Sequence, residues 1–276
     1  MAEPSIAMIP SGYKVEKIYS VLPTNGNADL DFARTTTATR VNQNGLIEEV
    51  AIGVPRLDYT DGSCPSLLFE PTSTNEITQS QVFSGYSGSD VVVADDAIIS
   101  PYGTLNGASV TDNNDLLSGN SQISQGVTVD VSSTYTFSFF AKKKGNDYIA
   151  LRTSAFTTPA NANSFFDLNL GTVVSQGTGH TSEIKDYGNG WYRCSVTFTT
   201  DTVDTSGNLQ MRLSENGTST TITRDGTNSI YMWGWQFEKQ SFATSYIKTE
   251  GSTQTRLADT ASKSGLENEI NSEEGV

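Results

Sequence analysis

The stretch SIYMWGWQFE, residues 229–238, places Tyr231, Trp233, Trp235 and Phe237 at every second position. Period-2 spacing marks a strand, because successive side chains point to opposite faces of a sheet. Read as a regular strand, it puts these aromatics on one face and Ile230, Met232, Gly234 and Gln236 on the other. Gly234 opens a second reading, since a glycine inside a strand often marks a bulge that shifts the phase by one residue. Ile230 and Met232 then point inward together with Trp235 and Phe237, and Tyr231 and Trp233 face out. The first reading makes the stripe scaffold; the second leaves Tyr231 and Trp233 as a stacking surface.

Similar alternation runs through the sequence before this strand. GVTVDVSS sets Val127, Val129 and Val131 against Thr128 and Asp130, and TYTFSFFAKK sets Tyr135, Phe137 and Phe139 against Thr136 and Ser138. In GWYRCSVTFTT, Tyr192, Cys194, Val196 and Phe198 share one face, with Trp191, Arg193, Ser195 and Thr197 opposite. NLQMRLSE opposes Leu209, Met211 and Leu213 to Gln210, Arg212 and Ser214, while YIALR, SFFDLNL and SEIKDY are weaker strand candidates. Turns such as DYGNG and TSGN separate these runs at the spacing of an antiparallel sandwich. Abundant Ser and Thr, 24 glycines and only 17% charged residues fit an all-β chain rich in turns.

Ahead of this region, ATRVNQNGLIEEV offers strands at Thr39–Asn42 and Leu46–Val50 joined by Gln43-Asn44-Gly45, where Asn-Gly suits a tight hairpin turn. The division expected is an N-terminal extension at 1–18, a hairpin-containing module at 19–75, a larger sandwich at 76–250 and a polar, acidic tail at 251–276. The extension is expected to be extended or flexible. The tail is expected to act as a linker or interaction segment, with at most a short helix near Leu266–Asn271.

Charge narrows the function. The 276 residues include 31 acidic and 17 basic ones, a net charge of −14, which argues against nucleic-acid binding and against anionic membranes. No run of about 18 apolar residues occurs and no signal-peptide pattern opens the chain, so neither membrane insertion nor an export signal is expected. Cys64 and Cys194 lie far apart without metal-ligand spacing, and both are expected to be reduced.

The motifs for chemistry are weak. Glu48-Glu49 and Asp95-Asp96 are adjacent acids, and glycoside hydrolysis needs two carboxylates facing across a cleft. His180, the only histidine, reads as a strand residue on a polar surface. FSGYSGSD does not follow a strand and open a helix, so it is a loop rather than a phosphate cradle. Asn216–Thr218 fits a glycosylation acceptor pattern and reads as a turn. Thr111–Leu117, TDNNDLL, gathers Asp112, Asn114 and Asp115 as hard oxygen donors for a calcium ion, although the same residues are ordinary turn formers. Sugar binding needs an exposed aromatic plane ringed by hydrogen-bonding side chains. Trp191, Arg193, Gln210 and Arg212 fall on the non-core sides of their strands, as Tyr231 and Trp233 do in the bulged reading, and these six are the carbohydrate-binding candidates, against the alternative that they are solvated outer-face residues.

Two stretches carry a family resemblance. Across residues 19–75, Phe-x-Arg, Ala-Thr-Arg-Val-Asn, Gly-Leu-Ile-Glu, Pro-Arg-Leu-Asp-Tyr and Leu-Leu-x-Glu-Pro follow one another in the order found in a module of tailed-bacteriophage virion proteins, among tail fibres and head fibres. GNGWYRCSVTFT and IYMWGWQFEK…ATSYIKT resemble the carbohydrate-binding-module-like jelly rolls that follow that module. The resemblance implies a jelly roll where alternation alone implies a sandwich, and often a structural calcium. It also implies a non-enzymatic virion surface protein that binds host surface polysaccharide, contacts other virion proteins and forms a homo-oligomer, commonly a trimer, although no heptad run specifies one. A purely structural fibre or capsid-decoration component and a polysaccharide depolymerase are the competing readings.

Overall fold

A computed structural model of the protein describes residues 6–266, and every regular element among them is a strand. The chain divides into two compact units, Met1–Ser73 with Thr255–Val276, and Thr74–Gln254.

The second unit is built on β1 (Leu105–Asp112), β2 (Gln122–Thr128), β3 (Thr134–Lys143), β4 (Tyr148–Ser154), β5 (Ala162–Asp167), β6 (Trp191–Thr199), β7 (Ser206–Ser214) and β8 (Ser229–Glu238). β1 pairs with β8, β2 with β7, β3 with β6 and β4 with β5, all antiparallel. These nested pairings are those of a long hairpin folded over on itself, and the β3–β8 and β4–β7 pairs join them into two sheets. This is a jelly roll, reached from strand pairing alone. The first sheet runs β1-β8-β3-β6, flanked by Val91–Ile99 and Thr181–Asp186; the second runs β5-β4-β7-β2, flanked by Thr172–Ser175 and Ser87–Ser89.

Alternation sends one side of each strand into a shared core. Phe137, Phe139, Cys194, Val196 and Phe198 from the first sheet form one buried cluster with Ile123, Ile149, Leu151, Phe166, Leu209, Met211 and Leu213 from the second. The valine row ends earlier than its pattern implies: β2 stops at Thr128, Val129 is buried past its end, and Val131 is exposed.

The strand at 229–238 takes the bulged form. Phe140 pairs with Trp233 and Ser138 with Gln236, so Gly234 and Trp235 together face the single residue Phe139. Gly234 has φ +67°, a left-handed conformation that costs other residues about 1–2 kcal/mol. The freed backbone groups find partners nearby: the Trp235 amide donates to Ser80 O at 3.0 Å, and Asn75 Nδ2 donates to Trp235 O at 3.1 Å. Ile230, Met232, Trp235 and Phe237 therefore all reach the core.

In the first unit, Ala38–Val41 pairs with Ile47–Val50, with Gly45 at φ +75° in the connecting turn. Arg34, Arg56 and Glu70, each in one of the motifs quoted from residues 19–75, meet in a buried ionic cluster. Asp259 accepts from Arg34 Nη1 at 2.8 Å and from Arg56 Nη2, and Glu70 pairs with Arg56 at 2.8 Å and Arg256 at 3.1 Å. Arg34, Arg56 and Arg256 are each at most 2% exposed.

This cluster corrects the expectation for the last segment. Residues 255–266 are no linker: Arg256 and Asp259 complete the ionic core, and Thr260–Ser262 pairs with Leu30–Ala33. A buried charge is held only where opposite charge and hydrogen bonds meet it. The N-terminal extension takes the extended one of its two expected forms, with Ala7–Lys14 pairing with Lys17–Leu22. The short helix expected near Leu266–Asn271 lies, from residue 267 on, outside the described residues.

Candidate functional site

The outer faces of the two sheets differ, and the difference locates the site. On the first sheet, Tyr231, Trp233, Gln236 and Glu238 point away from the core, as do Trp191 and Arg193 on β6. The segment after β8 returns across them. Gln236 Nε2 donates to Glu238 Oε1 at 2.7 Å, Glu238 accepts from the Thr244 amide at 2.9 Å, and Gln236 Oε1 accepts from the Ile247 amide at 2.7 Å. Tyr246 packs on Trp233 with ring centroids 4.3 Å apart, and Phe140 and Tyr102 close around it. Arg193 Nη1 donates to Thr244 O at 2.6 Å, Nη2 to Ser138 Oγ at 3.0 Å, and Trp191 Nε1 to Ile99 O at 3.3 Å.

Most of the first-sheet candidates are thus correctly oriented and wrongly assigned. Trp233 is 0% exposed, Trp191 3% and Arg193 5%, so none presents a surface to a sugar. Tyr231 is half-buried, with Lys144 Nζ over its ring at 5.5 Å. Trp233, Gln236 and Glu238 thus form, with Thr244, Tyr246 and Ile247, a second small core outside the sheet. Alternation reports which side of a strand a residue takes, and has no information about a later segment that covers it.

The second sheet brings the other two candidates together with residues the sequence reading missed. Gln210 and Arg212 lie on the outer face of β7. β4 places Arg152 opposite Gln210, β2 places Ser124 opposite Gln210 and Gln122 opposite Arg212, and β5 places Asn163 opposite Arg152. Gln122, Ser124, Arg152, Asn163 and Arg212 are half-buried and Gln210 is 8% exposed. The row continues to a depression of about 360 Å³ beside Gly126, Thr128 and Asn208 on the same face.

The polar contacts within this row are sparse and long. Arg152 Nη1 donates to Asn163 Oδ1 at 3.3 Å, Arg212 Nε to Gln210 Oε1 at 3.2 Å and Arg212 Nη1 to Thr220 Oγ1 at 3.4 Å. Arg152 Nε and Gln122 Oε1 are buried without a partner among the described residues. Burial, with Arg152 nearby, pulls the Arg212 guanidinium down to about 10, and burial lowers Arg152 as well. The expected stacking plane is missing among the described residues of this face, for Phe165 is 7% exposed and the half-buried Tyr148 packs over Gly217. Arg152 was legible in YIALR: with Ile149 and Leu151 inward, Ala150 and Arg152 must face out.

Two of the residues expected to hold calcium, Asp112 and Asp115, are already engaged by Asn228 and Arg224, although Asp112 Oδ1 is buried without a partner among the described residues. Asp115 and Asp90 are turned to Arg224, at 2.9 and 3.1 Å, so the guanidinium already supplies the positive charge. Asp112 is buried and bonds Asn228 at 3.3 Å, and no group of three or more His, Cys, Asp or Glu side chains suited to a metal occurs among the described residues. His180 is also not a surface residue. It is 8% exposed, held between Thr153 Oγ1 at 2.8 Å and Ser164 Oγ at 2.9 Å, and burial pulls its pKa down to about 4. Cys64 is exposed, Cys194 is buried, and both are free thiols.

No protein-family model and no curated protein matches the chain. Among solved structures, the chain is similar to the enzymatically active domain of tailspike protein 4 of bacteriophage CBA120, with 10% identity over 59% of this chain and 21% of that one, at TM-score 0.36. It is similar to a CBM4 module at 18% identity over 57% of this chain and 80% of that one, TM-score 0.31. A third is the CBM22-1-GH10 part of Clostridium thermocellum xylanase 10B, at 14% identity over 65% of this chain and 30% of that one, TM-score 0.37. At these scores the jelly-roll assignment rests on the strand pairing of the chain itself.

Proposed function

We propose that the jelly-roll unit is a glycan-binding module of a tailed-bacteriophage surface appendage, and that the glycan lies along the outer face of the second sheet. The observation that carries the proposal is the contrast between the two outer faces. One is sealed by residues 239–247; the other keeps Gln122, Ser124, Arg152, Asn163, Gln210 and Arg212 in a half-buried row whose hydrogen-bonding capacity is largely unused. Saccharide hydroxyls both donate and accept, and amide, hydroxyl and guanidinium side chains on a fixed sheet match them with little ordering cost.

Attachment to a virion is supported by the ordered motifs of residues 19–75, and the binding proposed is without turnover. Probing a bacterial glycan array with the full chain tests the module. Binding is expected, with loss in Gln210→Ala and Arg212→Ala at unchanged thermal unfolding. Absence of binding, or binding indifferent to both substitutions, would overturn the assignment of the face. Reducing-sugar release from a bound polysaccharide would overturn the non-catalytic reading.

A further inference from the structure

We infer that the glycan taken by this face is acidic, its carboxylate seated between Arg152 and Arg212. This rests on the glycan-binding reading and names the class of sugar.

The two guanidinium groups project from adjacent strands on one face, Arg152 opposite Gln210 and Arg212 two residues further along β7. Among the described residues, all their hydrogen-bond partners are neutral: Asn163 Oδ1, Gln210 Oε1 and Thr220 Oγ1. In a chain of 31 acidic against 17 basic residues this is unusual. The other arginines at ionic contacts find acids: Arg34 and Asp259, Arg40 and Glu48, Arg56 and Glu70, Arg224 and Asp115, Arg256 and Glu70. Arg193 also has only neutral partners, but it is buried and holds the segment that crosses the first sheet.

Two half-buried like charges side by side are unfavourable until an anion lies between them. A carboxylate does this best, because its two oxygens match the planar fork of a guanidinium. The missing aromatic plane points the same way, since a face that cannot stack a sugar ring must hold its ligand through polar groups. Gln122 Oε1, buried and unpartnered beside Arg212, and Ser124 are left to take hydroxyl groups of the same ring. With the chain at net −14, long-range attraction of a polyanion is absent, so recognition depends on contact with this pair.

The test is affinity electrophoresis of the full chain against polygalacturonate and alginate as carboxylate polymers, dextran sulfate as a sulfate polymer, and dextran and xylan as neutral ones. The expected result is retardation by a carboxylate polymer, and an affinity lowered about 10- to 100-fold in Arg152→Gln and in Arg212→Gln. The exposed Lys239→Gln, an equal change in net charge, is expected to leave it unchanged. Circular dichroism and thermal unfolding confirm that the variants fold. Binding to neutral polymers alone, lost in Gln210→Ala, would overturn the acidic assignment and leave the glycan face standing. Equal binding to dextran sulfate through the same arginines would overturn the carboxylate in favour of charge alone, and binding to no polymer would remove both readings.

Discussion

Replacing Asp259 by asparagine keeps the shape of the side chain and removes one of the two negative charges in the ionic core of the first unit. Arg34, Arg56 and Arg256 contribute three positive charges there, against Glu70 and Asp259. Asp259 accepts from Arg34, from Arg56 and from the Glu70 amide at 3.1 Å, and its side chain is fully enclosed. An amide retains one acceptor and presents two N–H groups toward the guanidinium cluster, so Arg34 loses its carboxylate partner in a site with little water. Breaking one partner of a buried ion pair costs about 3–5 kcal/mol. With a denaturant slope near 2 kcal/mol per M, that is a midpoint lowered by roughly 1.5–2.5 M urea for this unit. Because the chain holds two units, a single transition is a poor readout, and hydrogen exchange resolved along the full chain is the suitable assay. Asp259→Asn is expected to lose protection across residues 30–58 while β3, β4, β7 and β8 keep theirs. Unchanged exchange at 30–58, or a loss below about 1 kcal/mol, would refute the view that the ionic cluster holds this unit together.

Three further outcomes follow from the jelly-roll unit. Gly234→Ala places a Cβ 3.0 Å from Phe140 Cδ2 and 3.2 Å from Tyr246 Cε2 at positive φ, and is expected to destabilise by about 2–4 kcal/mol in urea unfolding. A value within about 0.5 kcal/mol of wild type would mean the bulge is not fixed. His180 has a folded pKa near 4, below its unfolded value of about 6.5, so its contribution is complete above about pH 6.5 and falls as pH drops toward 4, by up to about 3 kcal/mol. That slope between pH 6.5 and 5 is expected to vanish in His180→Gln, and its persistence would place the titration elsewhere. Glu238→Gln replaces the acceptor of the Thr244 amide and hydroxyl, and is expected to raise tryptophan accessibility to acrylamide as the 239–247 segment loosens over Trp233. No change in quenching would show the segment is held by packing alone.

The strands and their faces were legible because burial follows a period of two, whereas the bulge at Gly234 was only one of two readings the stretch allowed and the pairing of β8 with β3 decides it. What lay outside the pattern was long-range. Trp191, Arg193 and Trp233 are covered by residues far along the chain, and the ionic core joins Arg34 to Asp259 across 225 positions. Neither arrangement has a local signal. Gln210 and Arg212 were placed on the outer face by alternation, but Arg152 and Asn163 became their neighbours only through the pairing of β4 with β7 and β5. Asp112, Asn114 and Asp115 were read as oxygen donors without Arg224, which the fold delivers to Asp115 from 109 residues away.

If the open face of the second sheet meets the glycan, amide chemical shifts of the labelled chain, titrated with an oligosaccharide from an array-positive polysaccharide, will report it residue by residue. Perturbations are expected to centre on residues 122–126, 150–152, 163–165 and 208–212. Shifts confined to 191–193, 231–233 and 239–247, or to the first unit, would contradict it.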